Sequence, residues 1–329
     1  MRKIEKMGKI EKIRVGSRDS VLAVAQARLV MEALTRAHSG VALELVTMKT
    51  AGDLRAFDFP QAQEKEQERG GRFGVKGLFV KELEQALLDG RIDVAVHSLK
   101  DMPMEQDRRL PIRAFFKRGD PRDALVSSLE GEPFLGSSLS LGSLPFLGSL
   151  PLLGAKEGIG CSSARRRVQL ARLMPGPVRP VRGNVLTRLK KLDEGQYSFL
   201  VLAAVGLRRL GLERRISRIF APEEMIPAAG QGSLACQGRE GDRNFIEAVN
   251  DPDTEDCAKA ERAFVARLGG GCTLPVAAYA RVRGTEMSLI GLYVDEPEGL
   301  YRRGALSGDR QDAVKLGEVL ASRLQKDKI

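Results

Sequence analysis

The chain has 329 residues, with 53 Lys and Arg against 43 Asp and Glu, a net charge of +10, four Cys, two His and no Trp. Its length fits two or three domains of about 100–200 residues each; the cysteines form no C-x-x-C pair and lack a nearby histidine, so neither zinc-ligand nor redox-pair spacing is present. No apolar run approaches the roughly 18 residues of a membrane span and the N-terminus lacks an apolar signal core, so the expectation is a cytoplasmic protein with no metal and no membrane contact.

Taken in order, residues 1–12 (MRKIEKMGKIEK) are Lys-rich but carry Glu5 and Glu11 and no serine, which reads as a disordered tail and not a transit peptide. A short strand over 13–16 precedes a helix over 20–37 with apolar positions at Leu22, Ala25, Leu29 and Ala33, and 43–48 is a second strand. Residues 51–71 are polar and charge-dense without apolar periodicity, the pattern of a mobile loop over or beside a site. A helix over 79–88 stops at Gly90 before a strand over 92–96. Strand, helix, strand implies parallel βαβ units.

Residues 131–157 repeat L-G-S and L-P-F/L-L-G themes, too rich in Gly, Ser and Pro for regular structure, and read as an insertion. The strand and helix pattern then restarts: a strand at 159–160, a helix over 165–173, a strand over 178–181, a helix over 185–192 and a strand over 199–203. From about residue 253 a helix (255–268), two strands (275–282 and 286–293) and a closing helix (309–325) make a small α+β module. The fold class is therefore α/β: two doubly wound halves with a cleft between them, followed by a C-terminal α+β domain. Ligands of such sheets bind where loops leave the strand C-terminal ends.

Within the last module, Cys272 follows three glycines and stands three residues before Pro275. Glycines leave nothing beside the sulfur and give the loop conformational freedom, so this thiol reads as accessible. The basic excess calls for an anion. Single-strand nucleic-acid binders use aromatic platforms, and four Tyr and twelve Phe supply few, which leaves a polycarboxylate or phosphate as the competing partner.

Five runs carry a more specific signal: 16–20 (GSRDS) with Ala25-Gln26-Ala27, 74–82 (GVKGLFVKE), 93–103 (DVAVHSLKDMP), 160–167 (GCSSARRR) and 181–189 (VRGNVLTRL), with GQG at 230–232 preceding the GGGC loop. In that order they closely resemble the porphobilinogen deaminase (hydroxymethylbilane synthase) family over nearly the whole span from Ile13 to Ala280. The resemblance implies two periplasmic-binding-protein-like domains and a small α+β domain. It divides the chain into a tail (1–12), a first domain (13–116 and 233–250), a second (122–226, with the insertion at about 131–157) and a third (252–329).

It further implies a monomeric transferase of tetrapyrrole and haem biosynthesis that condenses four porphobilinogen molecules head to tail, releasing ammonia, on a dipyrromethane cofactor joined to Cys272 by a thioether. Hydrolysis then frees the linear tetrapyrrole. Matching positions assign Lys100, Ser98, Ser162, Ser163, Arg165, Arg166, Arg182 and Gly183 to the cofactor, and Arg18, Ser20, Lys76, Phe79, Arg188, Arg209 and Gln231 to the substrate.

Physical chemistry supports these residue types. Each porphobilinogen brings an acetate and a propionate, and arginine grips carboxylates through a planar fork that stays charged. Asp101 is the expected catalytic residue: a carboxylate beside the pyrrole N–H groups stabilises the cation left by departing ammonia and is the candidate base for the coupled carbon. His97 reads as packed or locally hydrogen-bonded, and Arg167, Arg172, Arg208 and Lys190 as a solvated face. Three departures from the family pattern stand out: Cys161 where Thr or Ser is usual, Ala277 for a usual Gly, and Gln237 near a frequent acidic position. Cys161, at a strand-to-helix turn, reads as a packed, inert thiol.

Two other classes fit parts of the pattern. A periplasmic-type solute-binding protein shares the cleft and its arginines, and a basic nucleic-acid-binding protein shares the charge.

Overall fold

The computed structural model describes residues 12–50, 80–128, 158–174, 176–242, 244–270, 274–295 and 298–326. Cys272, Lys76, Phe79, the 51–71 loop, the 131–157 insertion and residues 1–11 of the tail lie outside them. Lys12, assigned to the tail from sequence, is the first residue of strand β1 (Lys12–Arg18) and ion-pairs with Glu44 at 3.0 Å.

The first sheet joins β1 to β2 (Ala42–Met48), β3 (Val94–Ser98), β4 (Ile112–Phe116) and β10 (Leu234–Gln237) in the order β2-β1-β3-β10-β4. The second joins β5 (Asp123–Val126), β6 (Ile159–Gly160), β7 (Val178–Arg179), β8 (Phe199–Ala203) and β9 (Ile216–Ile219) in the order β7-β6-β8-β5-β9. Each repeats one plan: parallel neighbours on one side, and an antiparallel strand, β10 or β5, inserted next to the edge strand. The parallel βαβ pairings expected from sequence are present, with one antiparallel strand added to each sheet. Each inserted strand is delivered by the chain as it crosses from the other lobe. This is the periplasmic-binding-protein-like architecture.

Helix α1 (Val21–Ala37) is capped by Ser20, whose Oγ accepts from Ala23 N at 3.3 Å. Its buried face is Gln26, Ala27, Val30 and Leu34. The stripe expected from sequence was rotated away from this: Leu29 is exposed, because the apolar face follows the 26/27/30/34 spacing. Helices α2 (Lys81–Leu88), α3 (Ala164–Leu173), α4 (Val185–Asp193) and α5 (Ala204–Arg209) complete the two lobes.

In the third lobe, β11 (Ala277–Arg283), β12 (Glu286–Asp295) and β13 (Leu300–Asp309) form an antiparallel sheet packed on α6 (Pro252–Arg267) and α7 (Ala313–Lys326) around Phe264, Leu289 and Leu320. Strand β13 was not anticipated. Its alternation of half-buried and exposed positions marks an edge strand with charged residues, which the Arg302-Arg303-Gly304 run disguises.

The three lobes meet at Glu261 of α6, which is fully buried. Its carboxylate accepts from Arg118 Nη1 at 2.6 Å, Gly230 N at 2.6 Å and Ala280 N at 2.8 Å, tying the first crossing segment, the second crossing segment and β11 to one side chain. The two segments also bond directly, Gly119 N to Gly232 O at 3.2 Å. Gly232 has φ +95°, and a Cβ there would stand 2.7 Å from Gly119 O, so only glycine fits the crossing. The third lobe also packs on the second, where the Arg172 guanidinium stacks over Tyr301 at 3.9 Å. Arg172 is exposed, as the solvated face expected for it requires, and its guanidinium also makes this contact with the third lobe. Arg208 pairs with Asp120 at 2.9 Å and Lys190 with Glu194 at 3.8 Å.

Candidate active site

Asp101 ends a 3-10 turn (Leu99–Asp101) that leaves β3 at the carboxyl edge of the first sheet. The turn is anchored by its neighbours: Leu99 and Met102 are fully buried and pack against Ala258 of α6. Arg262, one helical turn on, donates Nη2 to Pro103 O at 2.7 Å and Met104 O at 3.1 Å. The helix that precedes Cys272 in sequence thus also holds the turn that presents Asp101. That helix ends at Arg267 with Leu268 as its C-cap, and Gly270 N donates to Val265 O at 2.9 Å.

The second lobe supplies cations. Ser163 N-caps α3, and Arg165 and Arg166 in its first turn point inward and are buried. Asn184 caps α4 by accepting from Thr187 N at 2.9 Å, and from that helix Arg188 donates Nε to Gly183 O at 2.8 Å. Gly183 has φ +110°, a left-handed bend that turns the chain into α4. Ser162 Oγ donates to Val181 O at 2.6 Å and accepts from Val181 N at 2.9 Å, stitching the α3 turn to the α4 turn. Arg182 between them is exposed.

Electrostatics joins these elements. The Asp101 charge raises the proton affinity of Lys100, His97, Arg166 and Arg188, so residues from both lobes share its field. Burial lowers Lys100 to about 8 even against that help, and burial also lowers Arg188. Both are cations short of compensating anions, which a carboxylate ligand would supply. Burial takes His97 down to about 4; its Nε2 donates to Gln237 Oε1 at 3.1 Å, while Gln237 Nε2 donates to Glu84 Oε1 at 3.0 Å and Leu110 O at 2.8 Å. His97 is a neutral, locally satisfied side chain, and Gln237 is the amide that keeps it so.

Other expected site residues are placed as follows. Ser98 Oγ pairs with the Gln26 amide, 3.0 Å from Nε2 and 3.2 Å from Oε1. Arg18 ends β1 close enough to His97 for its charge to oppose protonation there. Gln231 is fully buried and accepts from Lys100 Nζ at 3.4 Å. Arg209 donates Nη2 to Gly232 O at 2.8 Å, which commits that nitrogen to the lobe crossing. Cys161 is buried, and its Sγ lies 3.9 Å from Ser163 O.

Sequence reasoning missed Asp123 and Glu261. Both are fully buried carboxylates. A signal existed for Asp123, since an acid opening the apolar run Ala124-Leu125-Val126 must find a cation if that run is a core strand. Glu261 gave none, because an acid in a mixed-charge helix ordinarily faces water.

Among the described residues no group of His, Cys, Asp and Glu could hold a metal, and no helix is long and apolar enough to cross a membrane. Fold and candidate site together define a two-lobed α/β protein in which Lys100, Arg166 and Arg188 lie in the field of Asp101, with a third lobe bracing the turn that carries it. Residues 13–247 match the family model described as porphobilinogen deaminase, dipyromethane cofactor binding domain, and residues 256–326 match the porphobilinogen deaminase C-terminal domain. The chain belongs to the porphobilinogen deaminase family, transferases of tetrapyrrole biosynthesis that use a dipyrromethane cofactor.

The porphobilinogen deaminase of Acetivibrio thermocellus is 45% identical over 317 residues, 96% of this chain and 98% of that protein. That of Ruminiclostridium josui is 43% identical over 321 residues, 97% of this chain and 99% of its own. Among solved structures, the BenM effector binding domain with benzoate has a TM-score of 0.39 at 14% identity, covering 73% of this chain and 90% of that one, too distant to bear on the site.

Proposed function

We propose that the cleft between the two lobes condenses four porphobilinogen molecules, one at a time, on a dipyrromethane primer at Cys272, and releases hydroxymethylbilane. The observation that carries this reading is the gathering of Lys100, Arg166 and Arg188 in the field of Asp101, at the turn braced by the helix that precedes Cys272 in sequence. Bound as a thioether, the dipyrromethane supplies a nucleophilic pyrrole carbon.

The chain's own residues bind, orient and stabilise. Arg165, Arg166, Arg188 and Lys100 take the acetate and propionate groups, with the Ser98, Ser162 and Ser163 hydroxyls and exposed Arg182 at the margins. Cations already desolvated lose little further hydration on gaining an anion, and fork-shaped donors fix the direction of each pyrrole. Arg18, Ser20, Lys76, Phe79, Arg209 and Gln231 complete the substrate side.

Asp101 acts on the incoming substrate. Its carboxylate accepts the pyrrole N–H and faces the positive charge that grows as the aminomethyl group leaves as ammonia, so the transition state gains more than the ground state. After the carbon–carbon bond forms, the same oxygen is positioned to take the proton from the pyrrole carbon. Protein atoms hold Asp101 in place through Leu99, Met102 and Arg262. A monomer in the cytoplasm, with no nucleic-acid partner, is the setting this reading expects. The test follows ammonia and porphobilinogen together: equal molar release and consumption by the wild type, lost in Cys272→Ser, is the expected result. Ammonia release undiminished in Cys272→Ser overturns it.

A further inference from the structure

Asp123, the first residue of β5, has no part in the chemistry above, yet it sits at the centre of the cation group. It is fully buried. Arg165 Nη1 donates to its Oδ2 at 2.7 Å, and Arg166 donates Nε at 3.0 Å and Nη2 at 2.7 Å to its Oδ1. Gln231 Nε2 donates to the same Oδ1 at 2.8 Å and to Pro121 O at 2.6 Å, while its Oε1 accepts from Lys100. Burial alone would raise the Asp123 carboxyl, but the two guanidiniums outweigh it and hold it well below the usual range, so it is ionised.

Both arginines are fixed at further points. Arg165 Nη1 donates to Ile226 O at 2.7 Å and Arg166 Nη1 to Val201 O at 3.0 Å. Their planes are therefore set by the protein. The geometry points to Asp123 as a positioning residue for the carboxylate site: it orients Arg165 and Arg166, and through Gln231 it orients Lys100 across the lobe boundary, before any ligand arrives. It also sets the charge. Three cations and one anion in this hydrogen-bonded group leave two net positive charges, which a single pyrrole bearing one acetate and one propionate would balance.

An arginine held in place loses less rotamer freedom on gripping a carboxylate, so preorganisation appears as affinity. Asp123 thus governs binding of the primer and of each incoming unit, while Asp101 governs the chemical step. This inference rests on the functional reading given above.

The test uses full-length protein with porphobilinogen as the probe. Asp123→Asn keeps the shape and removes the charge. In its folded fraction, primer loading followed by intact mass slows about tenfold or more, and KM for porphobilinogen rises by a similar factor, the loss of one oriented charge-assisted contact. The kcat of the loaded fraction changes by less than about threefold, since the chemistry at Asp101 is untouched. A folded Asp123→Asn protein that loads at the wild-type rate with wild-type KM overturns the proposal, because a purely structural ion pair would alter only stability.

If Asp123→Asn does not fold, nitrogen-15 spectra of the wild-type arginine side chains decide. An Arg166 Nε–H signal protected from exchange before and after loading supports the proposal, and one that becomes protected only on loading overturns it. A wild-type protein that never acquires an adduct refutes the functional reading instead, which separates the two failures.

Discussion

Replacing Glu261 with Gln removes one charge from the junction of the three lobes while preserving the side chain's shape. In the native protein Glu261 is fully buried and Arg118 nearly so, with side-chain exposures of 0% and 13%. Arg118 would keep its Nε bond to Gln231 O at 2.9 Å and its stacking over Tyr279 at 4.9 Å, so it would stay in place without its counter-ion. Breaking one side of a buried pair costs about 3–5 kcal/mol, and the small exposure of Arg118 places this case near about 3 kcal/mol. Gly230 N bonds to Oε2 and Ala280 N to Oε1, so Gln, with one accepting oxygen, also strands one of them and Ala strands both, at about 1–3 kcal/mol for each donor buried without an acceptor; Ala would approach the whole stability of a typical domain, about 5–15 kcal/mol. With a urea dependence of about 1–3 kcal/mol per molar, Gln should lower the unfolding midpoint by about 1 M or more. Equilibrium urea denaturation followed by circular dichroism reads this directly. A Glu261→Gln midpoint indistinguishable from wild type would show that the junction contributes nothing and that α6 is held by other contacts.

Asp101→Asn should preserve fold and primer loading but slow each addition about a hundred- to a thousandfold, with Asp101→Glu retaining more; single-turnover extension of loaded enzyme by mass spectrometry measures it, and a wild-type rate removes Asp101 from the chemistry. Because burial lowers Lys100 from 10.5 to about 8, the folded protein disfavours its charged form: stability is lost as pH falls from 10.5 through about 8, whereas the charge that binds carboxylates is lost as pH rises through about 8. The kcat/KM profile of the free enzyme should therefore bend downward near pH 8, and Lys100→Arg should abolish the bend; an unchanged bend in that variant assigns it elsewhere. Burial pushes the Cys236 and Cys257 thiols up to about 12, and Cys161 is likewise enclosed, so native protein at neutral pH should resist iodoacetamide at all three; rapid labelling of any of them, detected by peptide mapping, contradicts their packing.

The α/β plan was legible because short apolar runs such as 159–160 and 199–203 keep strand character wherever they lie. The antiparallel strands β5 and β10 were not, since nothing local to 123–126 or 234–237 tells which way a strand will run beside its neighbours; that is decided by where the chain crosses between lobes. On α1 the stripe read from Leu22, Ala25, Leu29 and Ala33 is not the buried face, which includes the polar Gln26 because Ser98 satisfies its amide. At the site, Asp101, Lys100 and the two arginines of α3 were readable from their motifs. Asp123 was not, because its meaning comes only from the two guanidiniums that folding brings to it from some forty residues away in sequence.

The most direct test of this account is the mass of the peptide bearing Cys272. After expression, or after incubation of unmodified protein with porphobilinogen, digestion under non-reducing conditions should yield that peptide heavier by two linked pyrrole units, with the peptides of Cys161, Cys236 and Cys257 unmodified. A Cys272 peptide of unmodified mass in protein that consumes porphobilinogen, or an adduct carried by Cys161, would contradict it.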